Sequence, residues 1–137
     1  MQSVAKVFIQ QGEKYLFSLK RAPGKPAKDG KLELLGGKIE NGETRIQGLL
    51  RELQEEEKTG VLARKAATLR MNPKFICLKG QDNFIYRMEI TPEELQGVEM
   101  DGEESYGYEM LKEADFADDP DRFTPKTRKI FRALGMV

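Results

Sequence analysis

The sequence predicts an α/β (α+β) sandwich built around a mixed β-sheet. Residues 3–9 and 14–21 are rich in β-branched and aromatic side chains across a short link, as two neighbouring strands are. Residues 46–53 switch to a helical period, and residues 124–135 return to it at the end of the chain. Strands on both sides of one central helix, with another helix last, make an α/β or α+β sandwich around a mixed sheet. The 137 residues are 39% apolar and 34% charged. One domain over residues 1–137 is expected, and a chain of this length buries roughly 65–70% of its unfolded surface.

The first strand pair is "SVAKVFI" and "KYLFSLKR", joined by "QQGE". Residues 22–31, "APGKPAKDGK", hold two prolines, two glycines and three lysines without an apolar period, so they form a loop before the short run "LELL". The helix follows: Ile46, Leu49, Leu50 and Leu53 fall at i, i+3, i+4 and i+7, and Thr44 with Gln47 matches a capping box. With Gly60 as a left-handed stop, the helix is expected over residues 45–58. "VLARKAATLRM" (61–71), "KFICLKG" (74–80) and "NFIYRMEI" (83–90) read as strands, "TPEELQ" (91–96) as one helical turn, and "YGYEML" (106–111) as a further strand. "ADFADDPDRF" (114–123) reads as an acidic solvated loop. In "TPKTRKIFRALG", Thr124 caps, Pro125 takes the first helical position, Ile130, Phe131 and Leu134 face inward, and Gly135 ends the helix.

Composition removes several functions. Lys plus Arg and Asp plus Glu are both 23, so no whole-molecule field draws the chain to a nucleic acid polymer or to anionic lipid. Anion binding has to come from a local arrangement. Histidine is absent, which excludes Ser-His-Asp triads, imidazole bases and His-ligated metals. Cys77 is the one cysteine; it predicts neither disulfide nor thiolate cluster, and its apolar surroundings predict a buried side chain. No stretch approaches the ~18 apolar residues of a membrane span, and the first ten residues lack a leader pattern, so a cytoplasmic protein is expected.

The unusual feature is negative charge. Residues 52–57 contain four glutamates on a helix whose other side is apolar. Taking Ile46 as zero, Glu55, Glu52 and Glu56 point near about 180°, 240° and 280°, partly bordering the apolar stripe. Like charges at these spacings repel, and Arg51 alone cannot neutralise all three. A hard divalent cation can, since Mg²⁺ takes one or two carboxylates together with waters and substrate phosphates. A solvated face with lysine pairs is the plainer reading of the helix alone. The preceding "GGKIENGE" favours the metal, because Gly36 and Gly37 permit close backbone approach and Asn41–Gly42 turn the chain just before Glu43 and the helix cap.

Residues 37–61 resemble the signature of the Nudix hydrolases, G-x5-E-x7-R-E-U-x-E-E-x-G-U with U aliphatic, and "GGKIENGET" is similar to the MutT-like members. Gly37, Glu43, Arg51, Glu52, Leu53, Glu55 and Glu56 fall on it in register. The stretch "EKTGV" after Glu56 is two residues longer than the pattern, and the helix is expected to run a further half turn before a strand begins at Val61.

The resemblance implies a Nudix-type α/β/α sandwich and Mg²⁺-dependent, or Mn²⁺-dependent, hydrolysis of a nucleoside diphosphate linked to a group X, by water attack at phosphorus. It implies Glu55 and Glu56 as metal ligands, Glu52 as ligand or as the base for the water, and the Gly37 carbonyl in the same shell. Glu43 and Arg51 become the pair that ties loop to helix. A later-loop carboxylate is implied as well, Glu104 ahead of Glu103, and Arg21 and Lys38 become substrate contacts, with Lys25 and Lys28 weaker candidates. The position of the MutT base-reading asparagine falls near Thr127, which cannot supply an amide contact, so oxidised-guanine specificity is not implied. A nucleoside triphosphate is the first expected substrate; nucleotide sugars or dinucleotides are the alternative, and an inactive nucleotide sensor is the non-enzymatic one. Monomer and homodimer are both compatible with the sequence.

Overall fold

The computed structural model describes residues 2–137; Met1, the first residue of the expected domain span, lies outside it. Strands β1 (Val4–Gln11) and β2 (Lys14–Lys20) form the expected antiparallel hairpin. The "LELL" run supplies β3 (Leu32–Glu33), and β4 (Leu35–Lys38) follows at once. Helix α1 (Arg45–Glu56) starts at Thr44, whose side chain accepts the Gln47 N–H while Gln47 answers the Thr44 N–H. Then come α2 (Val61–Ala66), β5 (Lys74–Leu78), β6 (Gln81–Glu89), α3 (Pro92–Gln96), β7 (Ser105–Lys112) and α4 (Pro125–Ala133).

The sheet is mixed and runs β3-β2-β1-β6-β5, with β4 added on β1 and β7 on β2. β1 is the organising strand. It pairs in parallel with β6 along Val4–Gln10, antiparallel with β4 along Val4–Val7, and antiparallel with β2 only along Ile9–Gln11. One edge of β1 is thus shared, and β2 diverges from β4 to open a cleft between them. Alternation along β1 divides the core. Ala5, Val7 and Ile9 pack with Leu49 and Leu53 of α1, whereas Phe8 packs with Phe17 and with Ile130 and Phe131 of α4. Two helical layers therefore sandwich the sheet, as expected.

Four expectations are corrected. Residues 61–66 form a helix, because Gly60 adopts φ 81° and Leu62, Ala63 and Ala66 bury at helical spacing against α1; the alanines in this run favour helix over strand. α1 ends at Glu56 without the further half turn: Glu57 is extended at φ −131°, ψ 122° and bridges Met100. Cys77 is exposed, since β5 is an edge strand and Cys77 shares the solvent face with Phe75. The acidic loop contributes to the core through Phe116 and Phe123, with Phe116 stacked on Phe131 at 4.3 Å between centroids. Among the described residues no helix is long and apolar enough to cross a membrane.

Candidate active site

The site forms where α1 crosses β4. Two glycines set the close contacts there, Gly36 letting β4 lie against β1 and Gly37 letting α1 approach β4. Gly36 has φ +118°, and a Cβ there would lie 2.1 Å from the Ala5 carbonyl oxygen; a Cβ on Gly37 would lie 2.5 Å from Glu52 Cδ. The carboxylates of α1 thereby rest against strand backbone.

Glu56 is the most enclosed of them. Its Oε1 accepts the Gly36 N–H at 2.8 Å, and burial pushes its carboxyl up to about 8 against the opposing charge of Lys6. Glu52 is also raised, by burial and then by the Glu55 charge, with Arg51 opposing. Glu104, from the loop before β7, is raised by burial and again by Glu55. Carboxylates from two separate elements thus share one field, and that field disfavours a second negative charge.

Arg51 stands behind this group. Its Nε and Nη2 donate to the two oxygens of Glu43 at 2.8 and 3.2 Å, and Nη2 also donates to the Lys38 carbonyl at 2.8 Å. Its Nη1 donates to Glu52 and to Glu55, both at 3.2 Å. The fork holds the loop before α1 to the helix and leaves Glu43 below the usual carboxylate range, chiefly through the Arg51 bond.

A cavity of about 470 Å³ opens in front. Gly37, Lys38, Glu52, Glu55, Glu56, Glu103 and Glu104 line it, together with Arg21. Arg21 donates to the Gly102 carbonyl at 2.6 Å and lies 5.8 Å from the Tyr106 ring centroid. Glu43 and Arg51 sit outside the lining, Lys28 is part of it, and Lys25 is not. Thr127 is buried and hydrogen-bonded to Thr124, so it offers nothing to a ligand. Sequence reading missed Lys6, Lys20, Glu33, Gln81 and Lys126, which with Val4 and Gly36 complete the lining. A lysine inside the apolar run "VAKVFI" was the available signal for Lys6. Its Nζ is held by the Leu34 and Gly36 carbonyls, both at 3.2 Å.

Among the described residues no three His, Cys, Asp or Glu side chains form a closed cage for a metal ion. Arg51 engages Glu52 and Glu55, and a backbone amide engages one oxygen of Glu56. The donor set still fits Mg²⁺ or Mn²⁺. Such an ion needs only one or two carboxylates and fills its shell with water and phosphate oxygens, and the crowded carboxylates face the cavity.

The NUDIX domain profile matches residues 1–134. No curated protein sequence matches significantly. Among solved structures, a Nudix-family hydrolase from Clostridium perfringens is similar at 21% identity and TM-score 0.62, covering 94% of this chain and 92% of that one. A MutT protein from Methanosarcina mazei is similar at 16% identity and TM-score 0.61, covering 96% and 91%. A bifunctional NMN adenylyltransferase/ADP ribose pyrophosphatase from Francisella tularensis, in complex with AMP and a manganese ion, is similar at 16% identity and TM-score 0.73, covering 97% of this chain and 40% of that one. These identities speak to the fold; the profile spans nearly the whole chain and includes the glycine, arginine and glutamates assembled at the α1–β4 crossing, and by it the chain belongs to the Nudix hydrolase family.

Proposed function

We propose that the chain is a Mg²⁺-dependent pyrophosphohydrolase acting on a nucleoside diphosphate linked to a group X, with nucleoside triphosphates as the reference substrates. The observation that carries this reading is one cavity in which Glu52, Glu55, Glu56 and Glu104 face Lys6, Arg21 and Lys38. Carboxylates that repel one another accept a cation, and the cationic wall accepts the diphosphate.

Glu55, Glu56 and Glu104, with the Gly37 carbonyl, would hold the cation. Bound there, Mg²⁺ or Mn²⁺ supplies Lewis acidity, offsetting phosphate charge and making water a competent nucleophile near neutral pH. Glu52 orients the attacking water and receives its proton as the new O–P bond forms and the bridging P–O bond breaks. Lys6, Arg21 and Lys38 offset charge on the non-bridging oxygens as the leaving group departs. Arg51 and Glu43 fix the position of Glu52 and of the Lys38 carbonyl, and take no part in proton transfer. The intact pairing of Arg51 with Glu43, Glu52 and Glu55 supports an active enzyme over a sensor.

The test is a panel of nucleoside triphosphates, nucleotide sugars and dinucleotides assayed for phosphate or pyrophosphate release. Turnover should require Mg²⁺ or Mn²⁺ and stop on chelation. Glu52→Gln should lower kcat by roughly 10²–10⁴ while leaving the circular dichroism spectrum intact. Unchanged turnover in that variant removes the assignment.

A further inference from the structure

The carboxylate-lined cavity continues into a second one of about 470 Å³ that reaches the start of α4. The two share Lys20, Lys28, Glu33, Gln81 and Lys126, so they form one cleft with a catalytic end and a far end. A nucleotide whose phosphates occupied the first end has room for its remaining group in the second. The lining of that far end is therefore informative about X.

It is unsuited to a nucleobase. Beyond the shared residues its lining is Leu78, Lys79, Thr124, Pro125 and Lys129, and neither cavity is lined by an aromatic ring. Base recognition rests on stacking and on amide or carboxylate groups that read the base edge. The one amide present, Gln81, is already used: Oε1 accepts from Lys126 at 2.6 Å and Nε2 donates to the Gln2 carbonyl at 2.8 Å. The Glu33 carboxylate is paired with Lys20 at 3.6 Å.

What remains is positive charge outside any salt bridge. Among the described residues Lys28, Lys79, Lys126 and Lys129 form no ion pair. Lys126 and Lys129 lie one turn apart on α4, and Lys79 projects from the β5–β6 turn next to them. Half-buried Lys126 is pushed down to about 8 by burial and by the charge of Lys6, an arrangement that an incoming anion relieves. Ammonium groups clustered in a cleft with no ring to stack on match phosphate, which lysine binds as a point charge.

We propose that the far end of the cleft is a phosphate subsite, so that the preferred substrate carries at least one further phosphate on a non-aromatic X: a phosphorylated sugar, or a longer phosphate chain. This rests on the pyrophosphohydrolase reading and narrows it. Lys126 and Lys129 supply the main contacts, Lys28 and Lys79 flank them, and the base of a simple nucleoside triphosphate has no partner there.

Two measurements test this. The first is calorimetric titration with inorganic tripolyphosphate in EDTA, which needs no catalysis. The wild type should bind it, and the Lys126→Gln/Lys129→Gln double variant, whose helix the glutamines preserve, should bind at least ten times more weakly; equal binding overturns the subsite. The second compares kcat/KM, with Mg²⁺, for a nucleoside diphosphate pentose whose pentose bears a further phosphate, for a nucleoside tetraphosphate and for the corresponding triphosphate. One of the first two should exceed the triphosphate tenfold or more, and which one identifies the source of the extra phosphate. A triphosphate that does as well as both overturns the proposal. Tripolyphosphate binding through Lys126 and Lys129 without turnover of any substrate would support the subsite and remove the hydrolase reading alone.

Discussion

The Glu57 carboxylate accepts the backbone N–H of Glu99 at 2.9 Å, across 42 residues of sequence. It also accepts the Thr59 hydroxyl at 2.6 Å and the N–H groups of Thr59 and Gly60 at 3.1 and 2.9 Å. Two backbone bonds of 2.8 Å run alongside, Lys58 N–H to Glu99 and Asp101 N–H to Glu56. The end of α1 is thereby stapled to the segment that leads into Glu103 and Glu104. The staple lies in the stretch Glu57–Gly60, where this chain exceeds the family pattern by two residues.

Truncating Glu57 to Ala leaves four part-buried donors without their acceptor. It should lower stability by about 2–4 kcal/mol. Urea unfolding measures the loss as a shifted midpoint; an unshifted midpoint would show that water replaces the carboxylate at no cost.

The neighbouring glycines should separate activity from folding. At Gly37 an added methyl meets the Glu52 carboxylate, 2.5 Å from Cδ, and the side chain can swing away. Gly37→Ala should therefore stay folded while turnover falls at least tenfold. At Gly36 the methyl meets backbone at 2.1 Å in a left-handed conformation. Gly36→Ala should unfold many degrees lower. Circular dichroism melting beside a turnover assay reads both, and equal behaviour of the two variants would contradict the geometry.

Divalent cation should raise the melting temperature. A cation present at 100 times its dissociation constant adds ~2.7 kcal/mol to the folded state. Glu56→Gln keeps an acceptor for the Gly36 N–H but cannot bind a cation as a carboxylate does. Its melting temperature should respond to neither Mg²⁺ nor Mn²⁺; a full response in the variant would remove Glu56 from the ligand set.

Lys126 should leave a mark in the pH dependence of stability. An unfolded lysine titrates near about 10.4, whereas burial first, then Lys6, with Lys38 and Lys28 adding and Glu33 opposing, pushes Lys126 down to about 8. A depressed folded value means that its favourable contribution is complete above the unfolded value and lost as pH falls through about 8. Lys126→Met should thus melt a few degrees above wild type at pH 7, with the gap closing as pH rises from 8 towards 10. A gap that stays constant over that range would show that charge at Lys126 is not its cause.

Most of this architecture was legible because local chemistry and tertiary packing agree. Thr44 and Gln47 cap α1 through their own side chains, Thr124 and Pro125 start α4, and the period of Ile46, Leu49, Leu50 and Leu53 selects the buried face, all short-range effects written in adjacent residues. The acidic face and its arginine were legible for the same reason, since Arg51, Glu52, Glu55 and Glu56 share one helix. Where reading failed, long-range contacts decided. Residues 61–66 carry helix formers whose role appears only against α1, and Glu57 leaves the helix because its acceptors are wanted by Glu99 and the 59–60 turn. Cys77 is exposed because β5 lies at the edge of the sheet, a consequence of strand order.

The sequence by itself determined most of the elements, the paired glycines and the carboxylate helix, since each depends on residues within a turn or two of one another. Only the tertiary structure brought Lys6, Glu33, Gln81 and Lys126 into one cleft, because strands β1, β3 and β6 and helix α4 meet there from distant parts of the chain. Side chains on four separate elements have no spacing along the sequence that could announce a common site.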